Sequence, residues 1–208
     1  MSEVVIYRSI GSRSFTALWM LEELGVAYRS EIRDLKEGGH RSADYLALNP
    51  DGFVPLIDDG GVMVNECPAI CLYLADRYGY GRLSPKIEDP ERGPFLKWLV
   101  YATAQLEPAK ATRGVPIDTL PGGWGPGWRP LARVLEIIAG ALEGRDYLLA
   151  SGFSAADVML GSTLAMGAVA GEYVPSGRIE AYISRLRARP ACERAVELTW
   201  PPAVFGRR

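Results

Sequence analysis

Three short stretches carry residue types that could do chemistry. The first is Gly11-Ser12-Arg13-Ser14, a turn directly ahead of an apolar helical run. A hydroxyl at a helix start sits beside unpaired N–H groups and the positive end of the helix dipole. It could hold a bound thiolate and lower its pKa by donating one fixed hydrogen bond, with no general base. Serine ahead of a helix is also an ordinary N-cap, so Ser9, Ser12 and Ser14 are all open to that bland reading. The second stretch is Phe53-Val54-Pro55-Leu56-Ile57. Proline donates no ladder bond and pushes Val54 toward extended backbone. A cis Val54–Pro55 bond would turn the Val54 N–H and C=O outward, toward an extended peptide. The third is Glu66-Cys67-Pro68, which opens a helix with proline in its first turn. Its unpaired N–H groups favour a carboxylate. A strand edge beside such a helix start suits a small peptide with a free carboxylate; an edge strand followed by a helix is the plainer alternative.

The elements that must position these stretches read clearly from the pattern. Val4 to Tyr7 is a buried strand, and Phe15 to Gly25 a helix with Phe15, Leu18, Trp19, Leu21 and Leu24 at helical spacing. Gly25 is its C-terminal signal. Val26 to Arg33 is a second strand and Ser42 to Leu48 a short helix. Asp58-Asp59-Gly60-Gly61 is a hairpin turn, with Val62 to Val64 returning. The order β-α-β-α-β-β-α, closed by the helix from Glu66 to Gly79, fits a thioredoxin-like domain over residues 1–79. Residues 80–90 read as a linker, and strand signals vanish after it, so residues 91–208 read as an all-helical domain. Glu91 to Thr112 is one helix that Pro108 kinks or ends. Residues 114–130 are too rich in glycine and proline for regular structure. Their Trp124 and Trp128 either wall an apolar substrate pocket or pin the loop. Ser154 and Asp157 have capping-box spacing, which is a structural feature, not a catalytic one.

Composition narrows the function classes. The chain has 208 residues, a net charge of −2 and no basic run, which speaks against a nucleic-acid surface. The start carries no signal-peptide pattern and no apolar run has membrane-spanning length. Three scattered cysteines fit a reducing, cytoplasmic compartment. A single histidine, His40, speaks against a histidine metal site or a serine–histidine triad; in its charged, glycine-rich loop it reads as solvated.

Gly52-x-Val54-Pro55-Leu56 followed by Glu66-Cys67-x-Ala69-Ile70-x-x-Tyr73-Leu74 resembles the cytosolic glutathione transferase family. The run Ser12-Arg13-Ser14-Phe15 with its helix is similar to the family's bacterial, serine-type members. Tyr147 to Gly161, far along the chain, resembles the helix-start signature of the family's C-terminal domains. The resemblance implies an α+β fold, thioredoxin-like and then all-helical, with glutathione as co-substrate and no metal. It implies that Ser12 faces the glutathione sulfur, with Ser14 as the cap, and that Val54 ahead of a cis Pro55 pairs with the cysteinyl backbone. Phe53 adjoins that pairing. Glu66 and residue 67 hold the γ-glutamyl carboxylate; Cys67 stands where serine is usual, and its backbone N–H remains available. Tyr7, deep in its strand, is read as packing. The function implied is conjugation of glutathione to a hydrophobic electrophile, bound between the domains near Trp124 and Trp128, by a cytoplasmic homodimer. The rival readings are a family-like binding module without catalysis, favoured by Phe53, Cys67 and Pro68, and a glutathione-dependent peroxidase, dehalogenase or disulfide exchanger.

Overall fold

The computed structural model describes residues 3–115 and 127–200. The chain divides into two compact units, Met1–Arg82 with Arg187–Arg208, and Leu83–Leu186. Trp124 and most of the loop expected over 114–130 lie outside the described residues.

The first unit is built on a four-stranded sheet in the order β2-β1-β3-β4. Strands β1 (Val4–Arg8) and β2 (Tyr28–Ile32) pair in parallel, and α1 (Ser14–Leu24) makes the crossover that a parallel pair requires. Strand β3 (Leu56–Asp59) runs antiparallel to β1, and β4 (Val62–Asn65) antiparallel to β3. The β3–β4 turn is two glycines with φ of 63° and 96°, angles that side chains resist, and the Gly61 N–H donates to the Asp58 carboxylate at 2.7 Å. Helix α2 (Ala43–Leu48) precedes β3, and α3 (Cys67–Tyr78) follows β4. This is the thioredoxin-like arrangement expected from the element order.

Helix α1 departs from a one-faced amphipathic helix. Every residue from Ser14 to Leu21 is buried, because α3 and α9 (Pro190–Thr199) both pack on it. The last helix is held there by charge as well as by contact. Arg189 forms a two-pronged ion pair with Glu23, at 2.6 and 2.8 Å, and Arg194 pairs with Glu22 at 2.6 Å. Planar pairs of this kind fix direction as well as distance. The end of α9 then reaches the turn before α1: the Gly11 N–H donates to the Thr199 carbonyl at 2.9 Å, and Arg8 to the Leu198 carbonyl at 3.0 Å.

The segment leading into Pro55 is pinned from inside. Asn49 is buried, and its amide N–H donates to the Phe53 carbonyl at 2.8 Å while its amide oxygen accepts from Asn65 at 3.2 Å. Tyr45 is wholly buried and donates to the same Phe53 carbonyl at 2.6 Å. Gly52 has a φ of +62°, and a Cβ there would meet Leu46 at 2.9 Å, Arg41 at 3.0 Å and the His40 carbonyl at 3.1 Å. Only glycine allows that approach.

The second unit is helical. Helices α4 (Arg92–Tyr101) and α5 (Glu107–Ala111) are joined by a wide π turn over Ala102–Leu106. The run therefore continues through Pro108 instead of ending there; an extra residue in the turn absorbs the missing donor. Helix α6 (Leu131–Ala141) follows, then α7 (Ala155–Val169), which is buried for most of its length, and α8 (Gly177–Arg187). Leu83 and Ser84, expected within a linker, are buried, and the Leu83 carbonyl accepts the Ala155 N–H at 2.8 Å. The capping box at the start of α7 forms as its spacing predicts. Asp157 does more than cap. Fully buried, it accepts from the Ser154 N–H at 2.8 Å, the Ser154 hydroxyl at 3.0 Å, the Leu148 N–H at 2.9 Å and the Tyr182 hydroxyl at 2.9 Å. Burial pushes its carboxyl up from the usual range, and these donors offset only part of that rise.

Two stability outcomes follow from these buried polar groups. Asp157→Ala strands four donors at once, and urea unfolding should show a loss of about 3 kcal/mol or more. A loss within about 0.5 kcal/mol, the range of ordinary surface changes, would mean water replaces the carboxylate. Asn49→Ala should cost about 2 kcal/mol and speed hydrogen exchange over residues 50–56, while exchange in α7 stays unchanged.

Candidate functional site: a serine turn beside a helix start

The Ser12 turn is a closed hydrogen-bonded unit. Ser12 is half-buried, and its hydroxyl oxygen lies 2.8 Å from the Ser9 carbonyl and 2.8 Å from the Ser14 hydroxyl. The Ser14 N–H reaches the Ser12 oxygen at 3.2 Å, and the Ser9 N–H reaches the Ser14 oxygen at 3.1 Å. The expected division of labour changes here. Ser14 is not the cap: it is the first residue of α1, fully buried, and the hydroxyl that accepts a first-turn N–H is that of Ser12. Ser9 is buried and contributes its backbone to the turn.

The start of α3 lies against the same turn. The Cys67 sulfur is 3.7 Å from the Arg13 carbonyl, so two stretches 54 positions apart in sequence meet. The thiol is thus directed at backbone in the serine turn. Glu66, exposed at the N-cap position, has a φ of 65° and a ψ of 117°, sparse territory for a residue with a Cβ. Its carbonyl accepts the Ile70 N–H at 2.9 Å, which starts the helix, and Pro68 contributes no N–H. First-turn N–H groups of a helix find no acceptor within it. Together with the dipole they make a local positive pole.

The Val54–Pro55 bond is cis. Val54 precedes β3, and two residues later Leu56 lies opposite Tyr7 on one side and Asn65 on the other. Among the described residues, no hydrogen bond is made to the Val54 N–H or C=O. The peptide group next to it is held by Tyr45 and Asn49, so Val54 presents its backbone from a fixed base. Phe53 is 62% exposed and has the Arg41 guanidinium 5.4 Å over its ring.

Sequence reasoning passed over two residues here. Arg41 was part of an undifferentiated charged loop; only the fold brings it to Phe53 and Gly52. His40, read as solvated, is half-buried, with Nδ1 cut off from solvent and from any partner. The turn Gly39–Arg41, closed by the Gly39 N–H on the Asp34 carbonyl at 2.7 Å, folds it inward. Tyr7 packs as expected, its ring 5.8 Å from that of Tyr45 and 5.5 Å from the Arg33 guanidinium. Burial pushes the Cys71 thiol well up and that of Cys192 to about 12, so neither is a thiolate near neutral pH. Among the described residues no group of three or more His, Cys, Asp or Glu side chains is placed to hold a metal ion. Among them, too, no helix is long and apolar enough to cross a membrane.

In the second unit, Trp128 is half-buried. Its indole N–H donates to the Thr112 hydroxyl at 3.1 Å, and Gln105 donates to the Gly127 carbonyl at 2.7 Å, so this end of the loop is pinned to the helices before it.

Known proteins are similar to this chain in sequence and fold. Residues 12–77 match the glutathione S-transferase N-terminal domain family. A glutathione S-transferase of Arabidopsis thaliana is 32% identical over 166 residues, 74% of this chain and 76% of that protein. One from Schizosaccharomyces pombe is 28% identical over 224 residues, 90% of this chain and 91% of that protein. Among solved structures, a glutathione transferase from Methylococcus capsulatus has a TM-score of 0.76 at 27% identity, with 94% of this chain and 98% of that one covered. Another from Phanerochaete chrysosporium, solved in complex with oxidized glutathione, has a TM-score of 0.77 at 24% identity, with coverage of 95% and 96%, a likeness of fold. With a relative of this identity aligned over three quarters of its length, and with the serine turn and the Val54–Pro55 segment in one thioredoxin-like unit, the chain belongs to the glutathione S-transferase family.

Proposed function

We propose that the protein is a serine-type glutathione transferase that conjugates the glutathione thiolate to a hydrophobic electrophile. The observation that supports this is the contact between the Cys67 sulfur and the Arg13 carbonyl, which brings the start of α3 against the serine turn. Glutathione is a small peptide with two carboxylates and one thiol, and this unit offers a partner for each part. The γ-glutamyl carboxylate binds at Glu66 and the N–H of Cys67, at the positive pole of α3. The cysteinyl backbone pairs with Val54 ahead of Pro55, beside Phe53. The glycyl carboxylate, at the far end of an extended tripeptide, reaches Arg41, whose guanidinium is held over Phe53.

The thiol proton leaves to water, and Ser12 holds the sulfur as thiolate. The Ser12 proton turns from the Ser9 carbonyl to the sulfur, giving up a neutral hydrogen bond worth about 1 kcal/mol for a charge-assisted one roughly twice as strong. The ionised sulfur is the nucleophile, and it displaces or adds to an electrophilic carbon without further proton transfer from the protein. The functional division is a glutathione-binding domain over 1–79, a linker over 80–90 and a helical domain over 91–208, whose last helix returns to α1. The electrophile side includes the loop of Trp128. The protein acts in the cytoplasm as a homodimer.

A second reading, a glutathione-transferase-like module that binds without conjugating, is favoured by Cys67, whose thiol is directed to backbone and not outward. High thiol pKa values at Cys71 and Cys192 argue against disulfide exchange by either of them.

Calorimetry should show saturable glutathione binding, and the protein should be retained on immobilised glutathione and released by the free tripeptide. Absence of both defeats the transferase reading. Ser12→Ala should raise the pKa of the bound thiol by about one to two units with affinity little changed. Binding with no thiol shift in the wild-type protein would favour the module. Arg41→Ala should weaken glutathione about tenfold, and should leave unchanged the affinity for a glutathione analogue amidated at glycine.

A further inference from the structure

Counting donors fixes the proton directions in the serine turn. The Ser14 oxygen accepts the Ser9 N–H at 3.1 Å. The Ser12 and Ser14 oxygens are 2.8 Å apart, and the Ser12 oxygen is 2.8 Å from the Ser9 carbonyl. A carbonyl only accepts, and each hydroxyl has one proton. The Ser12 proton therefore goes to the Ser9 carbonyl, and the bond between the two side chains is donated by Ser14. Ser14 has no solvent exposure, so no bulk water competes for its proton. The Ser12 oxygen also accepts the Ser14 N–H at 3.2 Å, so one buried residue aims two donors at it.

An oxygen that accepts hydrogen bonds becomes a stronger donor through its own proton, and such chains strengthen one another away from water. We propose that Ser14 is a positioning residue for the sulfur chemistry: polarised by the Ser9 N–H, its hydroxyl donates to Ser12 and strengthens the Ser12 bond to the thiolate. When sulfur arrives, the Ser12 proton swings from the Ser9 carbonyl to the sulfur, and the donation from Ser14 stays in place. The sulfur's own proton is released to water, while the Ser12 and Ser14 protons stay on their own oxygens. The same two donors leave the Ser12 proton only two outlets, the Ser9 carbonyl or the ligand. This inference rests on Ser12 being the thiolate's donor.

The test measures the thiol pKa of bound glutathione in the full chain, from the ultraviolet absorbance of the thiolate across pH. The variants are Ser12→Ala, Ser14→Ala and the two combined, with affinity for S-methylglutathione, which forms no thiolate, measured alongside. Ser14→Ala should raise the pKa by about half a unit to one unit, or about three- to tenfold less thiolate below the pKa. The double variant should match Ser12→Ala alone, and S-methylglutathione affinity should hold within about twofold, because Ser14 acts only through Ser12. Ser14→Thr keeps the hydroxyl and should restore the wild-type pKa. If Ser14→Ala does not fold, Ser14→Cys, near in size and a weaker donor, is read by the pH profile of kcat/KM for conjugation, which should shift the same way. An unmoved pKa, additive shifts in the double variant, or a parallel loss of S-methylglutathione affinity overturns the proposal. A silent Ser12→Ala overturns the role of Ser12 itself, a result distinct from Ser12 responding while Ser14 stays silent.

Discussion

A single buried amide holds the first unit in register. The Asn49 amide N–H donates to the Phe53 carbonyl and its amide oxygen accepts from Asn65, which ties the segment before Pro55 to the end of β4, where α3 begins. Tyr45 donates to the same carbonyl from α2. A buried amide left unpaired costs more than a made bond contributes, so the three elements have one low-energy arrangement. Val54 is aimed by that arrangement rather than by its own side chain. Asn65 is held a second time, through Asp51 at 2.9 Å, which extends the tie to the surface.

The serine turn depends on a different constraint, the return of the chain's last described helix. Gly11 and Arg8 find their acceptors on the carbonyls of Thr199 and Leu198, in the last turn of α9, where carbonyls have no partner within the helix. The turn satisfies α9's end while α9 holds the turn. The paired arginines at 189 and 194 keep that end in place against Glu23 and Glu22. Trp19 shares Glu23 through its indole N–H at 2.9 Å, which joins the charge pair to the core of α1.

Much of this was legible in the sequence, for identifiable reasons. Element order in the first unit followed from period-two and period-3.6 patterns separated by glycine and proline, and those patterns report local burial directly. The capping box at Ser154 and the hairpin glycines were equally plain, because both are short-range backbone requirements. The errors share one cause. His40 looked solvated, Ser14 looked like a cap, and Leu83 and Ser84 looked like linker. Each is placed by residues far away in sequence, which a local pattern cannot report.

What the sequence determined by itself was the set of secondary elements, the kinds of group at each candidate position, and a backbone at Val54 with proline beside it. Which of three serines faces outward, which buried hydroxyl stands behind it, and that the α3 start touches the Arg13 carbonyl were decided only when distant strands and helices packed. The physical reason is that propensities act over a few residues, whereas a site is the place where unpaired backbone groups from separate elements end up facing one another.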